Sequence, residues 1–229
     1  MQSQLSELSR STGHVDVFKA RFADLPDDGR SLSDAERERA ARFVHARDAA
    51  RFRAGRAWAR RLISAELGVA PGDLPLTVGR HGKPELPGNP INFNLTHTTE
   101  QIWLAVSDGP VGIDLELPPD GDPAPLFRQI AAPEEWLRAL AAGITAERFL
   151  VLWTAKEAVL KLLGTGLMTD PRTIALGALD GPGPKTMEIA GQCICLQRLP
   201  ASDGAVAHVA TTGNRLDISL HGRQRGELF

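Results

Sequence analysis

The sequence has no tyrosine, only two cysteines in 229 residues, and an aromatic content of 5%. It also lacks any apolar run near the roughly 18 residues that would predict a membrane span. Cys193 and Cys195 lie two positions apart in the alternating stretch QCICLQ, so both leave one face of a predicted strand and are poorly placed to bridge. No further cysteine or nearby histidine completes a zinc site. We therefore expect reduced thiols, and neither a disulfide scaffold nor a zinc module.

The stretch MQSQLSELSR at the start of the sequence has no apolar core of the kind found in signal peptides. The hydrophobic fraction of 42% and the charged fraction of 24% are ordinary for a soluble globular chain. These features predict a cytoplasmic protein, built as one large domain or two smaller ones.

Charge is nearly balanced over the whole chain, at −2, but it is not balanced locally. Between Arg37 and Arg61, nine arginines are accompanied by only two acidic residues, Glu38 and Asp48. A basic patch of this kind can steer an anionic small molecule or an acidic protein, and the alternative is a solvated helix face. No nucleic-acid partner is expected, because no nucleic-acid motif is present and the rest of the chain is mildly acidic.

The segment VGIDLE, from Val111 to Glu116, has the alternation of a β-strand. Its branched apolar residues fall on one face, which leaves Asp114 and Glu116 on the other. Carboxylates at i and i+2 project the same way about 6–7 Å apart, and their repulsion raises each pKa unless a cation lies between them. Mg²⁺ binds one or two carboxylates together with waters and phosphate oxygens. The pair therefore predicts a magnesium platform, and the alternative is the solvated face of an edge strand.

Two helix starts can be read from capping signals. The segment 146–163 has the periodicity of a buried helix, with Thr145 as candidate N-cap and Gly164 as candidate stop. Ser33 and Glu36 have the spacing of a capping box, which predicts the start of a helix in the arginine-rich region.

The polar residues of the predicted helix 146–163 need an explanation. Glu157 and Lys161 are i,i+4, the spacing of a weak surface ion pair. Lys156 falls inside the apolar stripe, where an ammonium needs an anion or a route to solvent. An anionic ligand beside the helix would account for all three residues.

Two more blocks lie upstream, GKP at Gly82–Pro84 and FNLTHT at Phe93–Thr98. With GIDLE and the stretch WTAKEAVLKLLGTGL at Trp153–Leu167, they give four ordered blocks. In these blocks the chain resembles the surfactin-type 4'-phosphopantetheinyl transferases, over about residues 33–167. One departure is the pair of threonines that flank His97 where the family more often has serines, and threonine keeps the hydroxyl.

The resemblance implies an α+β fold of two similar α/β halves, related by a pseudo-twofold axis, with the ligand cleft between them. Residues 1–110 would bind the 3'-phosphate and adenine side of coenzyme A. Residues 111–229 would hold Mg²⁺ and the pyrophosphate and would dock the carrier protein. The proline-rich stretch Leu117–Pro125 is the expected hinge, and a helix over about 133–142 is the expected docking surface.

The resemblance also implies a reaction. It is the Mg²⁺-dependent transfer of 4'-phosphopantetheine from coenzyme A to a serine of an apo acyl carrier or peptidyl carrier protein, with release of adenosine 3',5'-bisphosphate. The expected metal ligands are Asp114, Glu116 and Glu157. The expected catalytic residues are Glu157 as general base, Lys161 on the pyrophosphate, and Lys156. One chain contains every matched block, so a monomer suffices.

The residues expected to contact coenzyme A are Arg39, Arg42, Arg51, Lys83, Thr96, His97 and Lys161. Arg51 is the first choice for the 3'-phosphate because a planar guanidinium suits phosphate oxygens. Glu36 stands where the family has a lysine, which implies a rearranged phosphate cradle. Judged without the resemblance, Lys83 would be an exposed turn lysine and His97 a structural hydrogen bonder.

Two other functions remain open at this point. The chain could be a catalytically silent module that binds coenzyme A or a carrier domain, although its carboxylates are intact. It could also be another Mg²⁺-dependent phosphotransferase, although it has no glycine-rich P-loop of the GxxxxGK[S/T] kind.

Overall fold

The computed structural model describes residues 13–26, 29–79, 83–88, 91–181 and 183–222. In chain order, its strands and helices are β1 (His14–Arg21), α1 (Asp34–Ala41), α2 (Ala46–Leu67), β2 (Thr77–Val78), β3 (Pro84–Glu85), β4 (Asn92–His97), β5 (Gln101–Ser107), β6 (Val111–Glu116), α3 (Ala124–Ile130), α4 (Pro133–Ala142), α5 (Ala146–Leu163), β7 (Lys185–Ile189), β8 (Gln192–Leu199), β9 (Val206–Thr212) and β10 (Asp217–Gly222). The predicted α+β class is confirmed, with two sheet-rich halves. Gly82 of the GKP block lies outside the described residues.

Each half is built around a four-stranded sheet. The first has the order β10-β1-β5-β4 and the second the order β6-β9-β8-β7, while β2 and β3 form a small separate ribbon. Every described strand pair is antiparallel except β1 with β10, which is parallel. Antiparallel strands that follow one another in the chain need only short connections, as between β4 and β5, β7 and β8, and β8 and β9.

The predicted division at residue 111 needs a correction at the end of the chain. β10 lies within the range 111–229 but pairs with β1 of the first sheet, with His14 opposite Asp217 in the register. This pairing covers an edge of β1 that would otherwise expose unpaired main-chain groups. The last described strand therefore belongs to the first sheet.

A helix covers each sheet and supplies one side of its core. Against the first sheet, α2 buries Trp58 and Ile63 with Leu104 and Val106 of β5. Against the second sheet, α5 buries Leu150 and Leu160 among residues of β8 and β9. A third cluster joins the two sheets through residues of β1, β5, β6 and β9, namely Val17, Trp103, Ile113, Leu115 and Val209.

The predicted boundaries of α5 are confirmed. Thr145 accepts a hydrogen bond from the backbone N–H of Arg148 at its N-terminus, and Gly164 ends the helix with a φ of +70°. The predicted capping box is confirmed as well, because Ser33 and Glu36 exchange side-chain to backbone hydrogen bonds at the start of α1. Local signals were sufficient here because a cap depends only on residues within one turn.

The junction between the halves runs along β6. One edge of this strand pairs with β9. On the other edge, the backbone N–H of Ile113 donates to Asn94 Oδ1 at 2.9 Å and that of Leu115 donates to Thr96 Oγ1 at 3.1 Å. Side chains of β4 therefore take the place of a main-chain ladder, and they fix the position of β6 against the first half.

The expectations about cysteines and about membrane spans can also be compared with the structure. Cys193 and Cys195 are both free thiols, the first exposed and the second buried. Among the described helices, none combines the length and apolar character that crossing a membrane would need.

Candidate functional site

The site begins at the close approach of β6 to α5. A Cβ atom added at Gly112 would collide with the carbonyl oxygen of Ala158 and the amide nitrogen of Leu162. Only glycine permits the backbones to lie this close, as an isolated glycine inside a strand often indicates. The approach brings Asp114 of β6 beside the last two turns of α5, where Lys161 lies.

Asp114 is buried and held by two neighbours. Its Oδ1 accepts a hydrogen bond from Lys161 Nζ at 2.6 Å and another from Thr96 Oγ1 at 3.2 Å. Lys161 Nζ also donates to the main-chain oxygen of Ile113 at 3.3 Å. Among the described residues, Asp114 Oδ2 has no hydrogen-bond partner although it is buried. One oxygen is thus fixed in place and the other is left as an unused acceptor.

Two more carboxylates face the same region. Burial raises the pKa of Glu116 to about 7, with further contributions from the charges of Asp114 and Glu157, while Lys161 opposes the shift. Burial also raises the pKa of Glu157, and Lys161 again opposes it. The Oε1 atom of Glu157 is buried and has no hydrogen-bond partner within the described part of the chain. The site therefore carries more negative charge than its one lysine compensates.

These observations fit a divalent cation. Two buried carboxylate oxygens without partners, on Asp114 and Glu157, are the acceptors that a hard cation would use. The described residues contain no group of three His, Cys, Asp or Glu side chains that could hold a metal ion. Mg²⁺ does not need such a group, because it binds through one or two carboxylates together with water and substrate phosphates. The donor set therefore fits a cation that arrives with a phosphorylated substrate.

The expected catalytic role of Lys156 requires a correction. Its ammonium is 2.6 Å from Glu135 Oε2 and donates to the main-chain oxygens of Ile130, Pro171 and Ile174 at 2.7–2.8 Å. The Lys156 side chain is 0% exposed, so it cannot touch a substrate. Burial lowers the pKa of Lys156, and the bond to Glu135 opposes that shift. The anion that compensates the buried ammonium of Lys156 is therefore Glu135 and not a ligand.

The polar groups of Thr96 and Lys83 are also engaged by the protein rather than free for coenzyme A. Thr96 Oγ1 donates to Asp114 and accepts from the backbone of Leu115. Lys83 Nζ donates to the main-chain oxygens of Val111 and Lys161, each at 3.2 Å. Both side chains lie at the junction between the halves. Their positions in the sequence predicted that they lie near the site but did not reveal these partners.

His97 and Arg51 lie on the first half. The imidazole of His97 is exposed at the end of β4, with Nδ1 3.3 Å from the Thr98 carbonyl oxygen and an edge-on contact to Phe22. Arg51 keeps 20% of its side chain exposed and lies 3.5 Å from Asp48. Gly55, one turn later on the same face of α2 as Arg51, packs near Phe22, the ring that His97 also contacts.

Arg39 and Arg42 lie on or just after α1. The Arg39 guanidinium is 5.3 Å from the centre of the Phe52 ring, and Arg56 approaches the same ring at 5.4 Å. Arg42 is 76% exposed and lies 3.9 Å from Glu38. Burial lowers the pKa of Arg56, and the charges of Arg39 and Arg60 add to this while Glu36 opposes it. A cluster of mutually repelling guanidinium groups is suited to an anion.

Sequence reasoning missed four residues that the structure brings into the site or its support. They are Gly112, Asn94, Glu135 and Arg56. A glycine inside a strand was a usable signal for Gly112, whereas Ala132 lacks the side-chain oxygen of a capping box, so no such signal identified Glu135. No sequence signal identified Asn94 as a partner of β6, because that contact depends on how the halves meet.

The comparisons with known proteins give matches over both halves of the chain. The profile of the 4'-phosphopantetheinyl transferase superfamily matches residues 110–209, and the profile called 4'-phosphopantetheinyl transferase, N-terminal, matches residues 22–108. The chain is 34% identical to the 4'-phosphopantetheinyl transferase HetI of Nostoc sp. over 200 residues, which cover 83% of each chain. It is 30% identical to Sfp of Bacillus subtilis over 143 residues, 59% of this chain and 62% of Sfp. It is 32% identical to the human L-aminoadipate-semialdehyde dehydrogenase-phosphopantetheinyl transferase over 154 residues, 60% of this chain and 50% of the relative.

Proposed function

Because the chain belongs to the 4'-phosphopantetheinyl transferase family, we propose that it transfers 4'-phosphopantetheine from coenzyme A to a serine of an apo carrier protein, with Mg²⁺, and releases adenosine 3',5'-bisphosphate. The single observation that supports the metal-dependent form of this reaction is the pair of buried, unpartnered oxygens on Asp114 and Glu157. They lie in a site where Lys161 is the only lysine that contacts the Asp114 carboxylate among the described residues.

The chain's own residues supply positioning and proton transfer. Lys161, 26% exposed, keeps Asp114 in place and has room to turn toward a pyrophosphate oxygen. Glu157 has an unused buried oxygen and a raised pKa, so it is our candidate to accept the serine proton. A divalent cation held by Asp114 and Glu157, with Glu116 nearby, would neutralise the pyrophosphate charge.

The bond changes define what each group must do. The serine oxygen attacks the phosphorus that carries the pantetheine arm, its proton passes to the Glu157 carboxylate, and the bond to the second phosphate breaks. The electron pair of that bond leaves with adenosine 3',5'-bisphosphate. A carboxylate that ligates a cation is a weaker base, so the two tasks of Glu157 compete, and its amide variant should affect proton transfer even where cation binding survives.

We assign the nucleotide end of coenzyme A to the first half. This half carries the exposed imidazole of His97 and the partly buried Arg51, and Arg39 and Arg42 add further positive charge. The second half would hold the cation and pyrophosphate. Its helix α4 exposes Leu137 and Leu140 at 66% and 54%, which is an apolar surface on which a carrier helix could dock.

Transfer can be tested directly with the full chain. Coenzyme A, Mg²⁺ and a panel of apo acyl and peptidyl carriers should give one phosphopantetheine adduct per carrier, measured by intact mass, with adenosine 3',5'-bisphosphate in the supernatant. A carrier with serine replaced by alanine, and a reaction with chelator, are the matched controls. The proposal would be contradicted if no carrier gained mass. If carriers gained mass in the presence of chelator, the reaction would not depend on a divalent cation. Size-exclusion chromatography would test the expected monomer.

A further inference from the structure

The edge of β6 that faces the first half has an unusual set of partners. Alternate residues of an edge strand present both main-chain groups toward a neighbour, and here the neighbour is not a paired strand. The N–H groups of Ile113 and Leu115 are taken by side chains of β4. The carbonyl oxygens of Val111 and Ile113 are taken by Lys83 and Lys161. Four consecutive polar groups of this edge are thus satisfied by side chains.

Lys83 has a second partner that ties this edge to α5. Its ammonium donates to the main-chain oxygen of Lys161 as well as to that of Val111, each at 3.2 Å. The Lys161 oxygen lies in the last turn of α5, where the helix dipole favours a cation. Lys83 itself lies beside β3 in the first half. One side chain therefore joins the first half to both elements that carry the candidate site.

We propose that Lys83 is a positioning residue, which clamps the start of β6 and the end of α5 to the first half and so sets the distance between Lys161 and Asp114. Its ammonium does not contact coenzyme A in this arrangement. The catalytic part of the inference rests on the proposed function, whereas the clamp itself does not. Burial lowers the pKa of Lys83, which agrees with an ammonium enclosed by protein oxygens rather than open to solvent.

The clamp has a consequence that a ligand contact does not. Removing the ammonium leaves two main-chain oxygens without their donor before any coenzyme is present, so the free protein loses stability. The reacting groups also lose their alignment, and misplacement by a fraction of an ångström can lower kcat more than it lowers affinity. If Lys83 instead bound a coenzyme phosphate, its removal would lower the affinity for coenzyme A in a salt-dependent way and would leave the stability of the free protein unchanged.

The test compares Lys83→Met with Lys19→Met. Lys19 Nζ donates to the main-chain oxygen of Pro200 at 2.7 Å, so it also links the first half to the second with a lysine–carbonyl bond, but it touches neither β6 nor α5. The measurements are the unfolding temperature without coenzyme, the Kd for coenzyme A at two ionic strengths, and kcat and KM for transfer. Lys83→Arg keeps the charge and the donors and serves as the rescue variant.

For Lys83→Met we expect an unfolding temperature lower by about 3–6 °C without coenzyme, a Kd within about three-fold of the wild type, and kcat lower by about ten-fold or more. Lys83→Arg should recover most of kcat. Lys19→Met should lower the unfolding temperature without changing kcat. A loss of coenzyme affinity beyond about ten-fold, or an unchanged unfolding temperature, would overturn the clamp.

The outcome can be separated from failure of the proposed function. If the wild type transfers nothing, the unfolding and binding measurements still decide the role of Lys83. If Lys83→Met does not fold, hydrogen exchange in Lys83→Gln replaces it, because the shorter and uncharged side chain cannot reach both main-chain oxygens. Faster exchange at the amides of Ile113 and Leu115 than in the wild type would support the clamp, and unchanged exchange would overturn it.

Discussion

Two lysine–carboxylate pairs of α5 have the same length and opposite surroundings. Lys156 lies 2.6 Å from Glu135, and Lys161 lies 2.6 Å from Asp114. The first pair is enclosed, and both Glu135 oxygens also accept backbone N–H groups, from Ala132 and Leu176. In the second pair, Asp114 keeps a buried oxygen without a partner among the described residues. One pair is complete without any ligand, and the other is not.

The difference teaches that motif membership and burial do not identify a reactive residue. Both lysines belong to the block Trp153–Leu167, and both lie near a carboxylate. Complete hydrogen bonding indicates a structural contact, because nothing is left to interact with a substrate. A buried acceptor without a partner is costly in the free protein and is retained where a ligand completes it. The contrast between the two pairs can be tested in several ways.

The largest effect should come from Asp114→Asn. This change removes the charge that the cation site needs but keeps the shape of the side chain, so transfer should fall by at least about a thousand-fold. The fold should survive, since the variant also relieves repulsion from Glu116 and Glu157. Intact-mass transfer assays and thermal unfolding measure the two effects separately. Turnover near that of the wild type would remove Asp114 from the candidate site.

Matched substitutions of the two lysines should give opposite results. Lys156→Met leaves the buried Glu135 charge uncompensated, which should cost about 3–5 kcal/mol in the free energy of unfolding. Lys161→Met should cost much less stability, about 1 kcal/mol, but should lower kcat by at least about a hundred-fold.

Denaturant unfolding and single-turnover transfer on the folded fraction provide the measurements. Equal stability losses in the two variants would break the comparison, as would a folded Lys156→Met protein with kcat as low as that of Lys161→Met.

Gly112→Ala should disturb the approach of β6 to α5. The added methyl group would meet the backbone at Ala158 and Leu162, and relieving that collision should cost about 1–3 kcal/mol and separate Asp114 from Lys161. Gly109→Ala is the control, because no atom lies within 4 Å of a Cβ added there. Thermal unfolding and transfer should both fall in the first variant and stay unchanged in the second.

A third buried contact of α5 should respond to pH. His208 Nδ1 lies 2.8 Å from Thr154 Oγ1, and burial, assisted by the charge of Arg198, lowers the pKa of His208 from 6.5 to about 3. Because the folded pKa lies below the unfolded one, this contribution to stability is complete above pH 6.5 and is lost as the pH falls toward 3. The loss should reach about 2 kcal/mol at pH 5.

Denaturant unfolding between pH 5 and 7 measures how the free energy of unfolding depends on pH. His208→Asn removes the titrating group, so the free energy of unfolding of this variant should change less than that of the wild type over the same pH range. The same slope in both proteins would show that His208 is not the group responsible.

Much of the candidate site followed from short-range pattern. The period-two alternation of 111–116 placed Asp114 and Glu116 together, and the helical period placed Glu157 and Lys161 on one strip of α5. Those relations span four residues or fewer, where backbone geometry fixes side-chain direction. The family resemblance then identified the chemistry, and the comparisons confirmed the family.

The partners of individual side chains could not be predicted in this way. The helical wheel showed that Lys156 needs an anion but not that Glu135, 21 residues earlier in the chain and on another helix, supplies it. Lys83 and Thr96 were assigned to the coenzyme because they stand in the matched blocks, yet their donors meet main-chain and carboxylate oxygens at the junction. Such contacts depend on how two sheets pack, and sequence period carries no information about that.

The return of β10 to the first sheet has a consequence for synthesis on the ribosome. His14 and Asp217, which face each other in this sheet, are 203 residues apart in the chain. At about 5–20 residues per second, β1 waits roughly 10–40 seconds for its last neighbour. During that time its outer edge can recruit a strand from another nascent chain, so a chaperone would protect the first half more than the second, and slow translation would prolong the exposure.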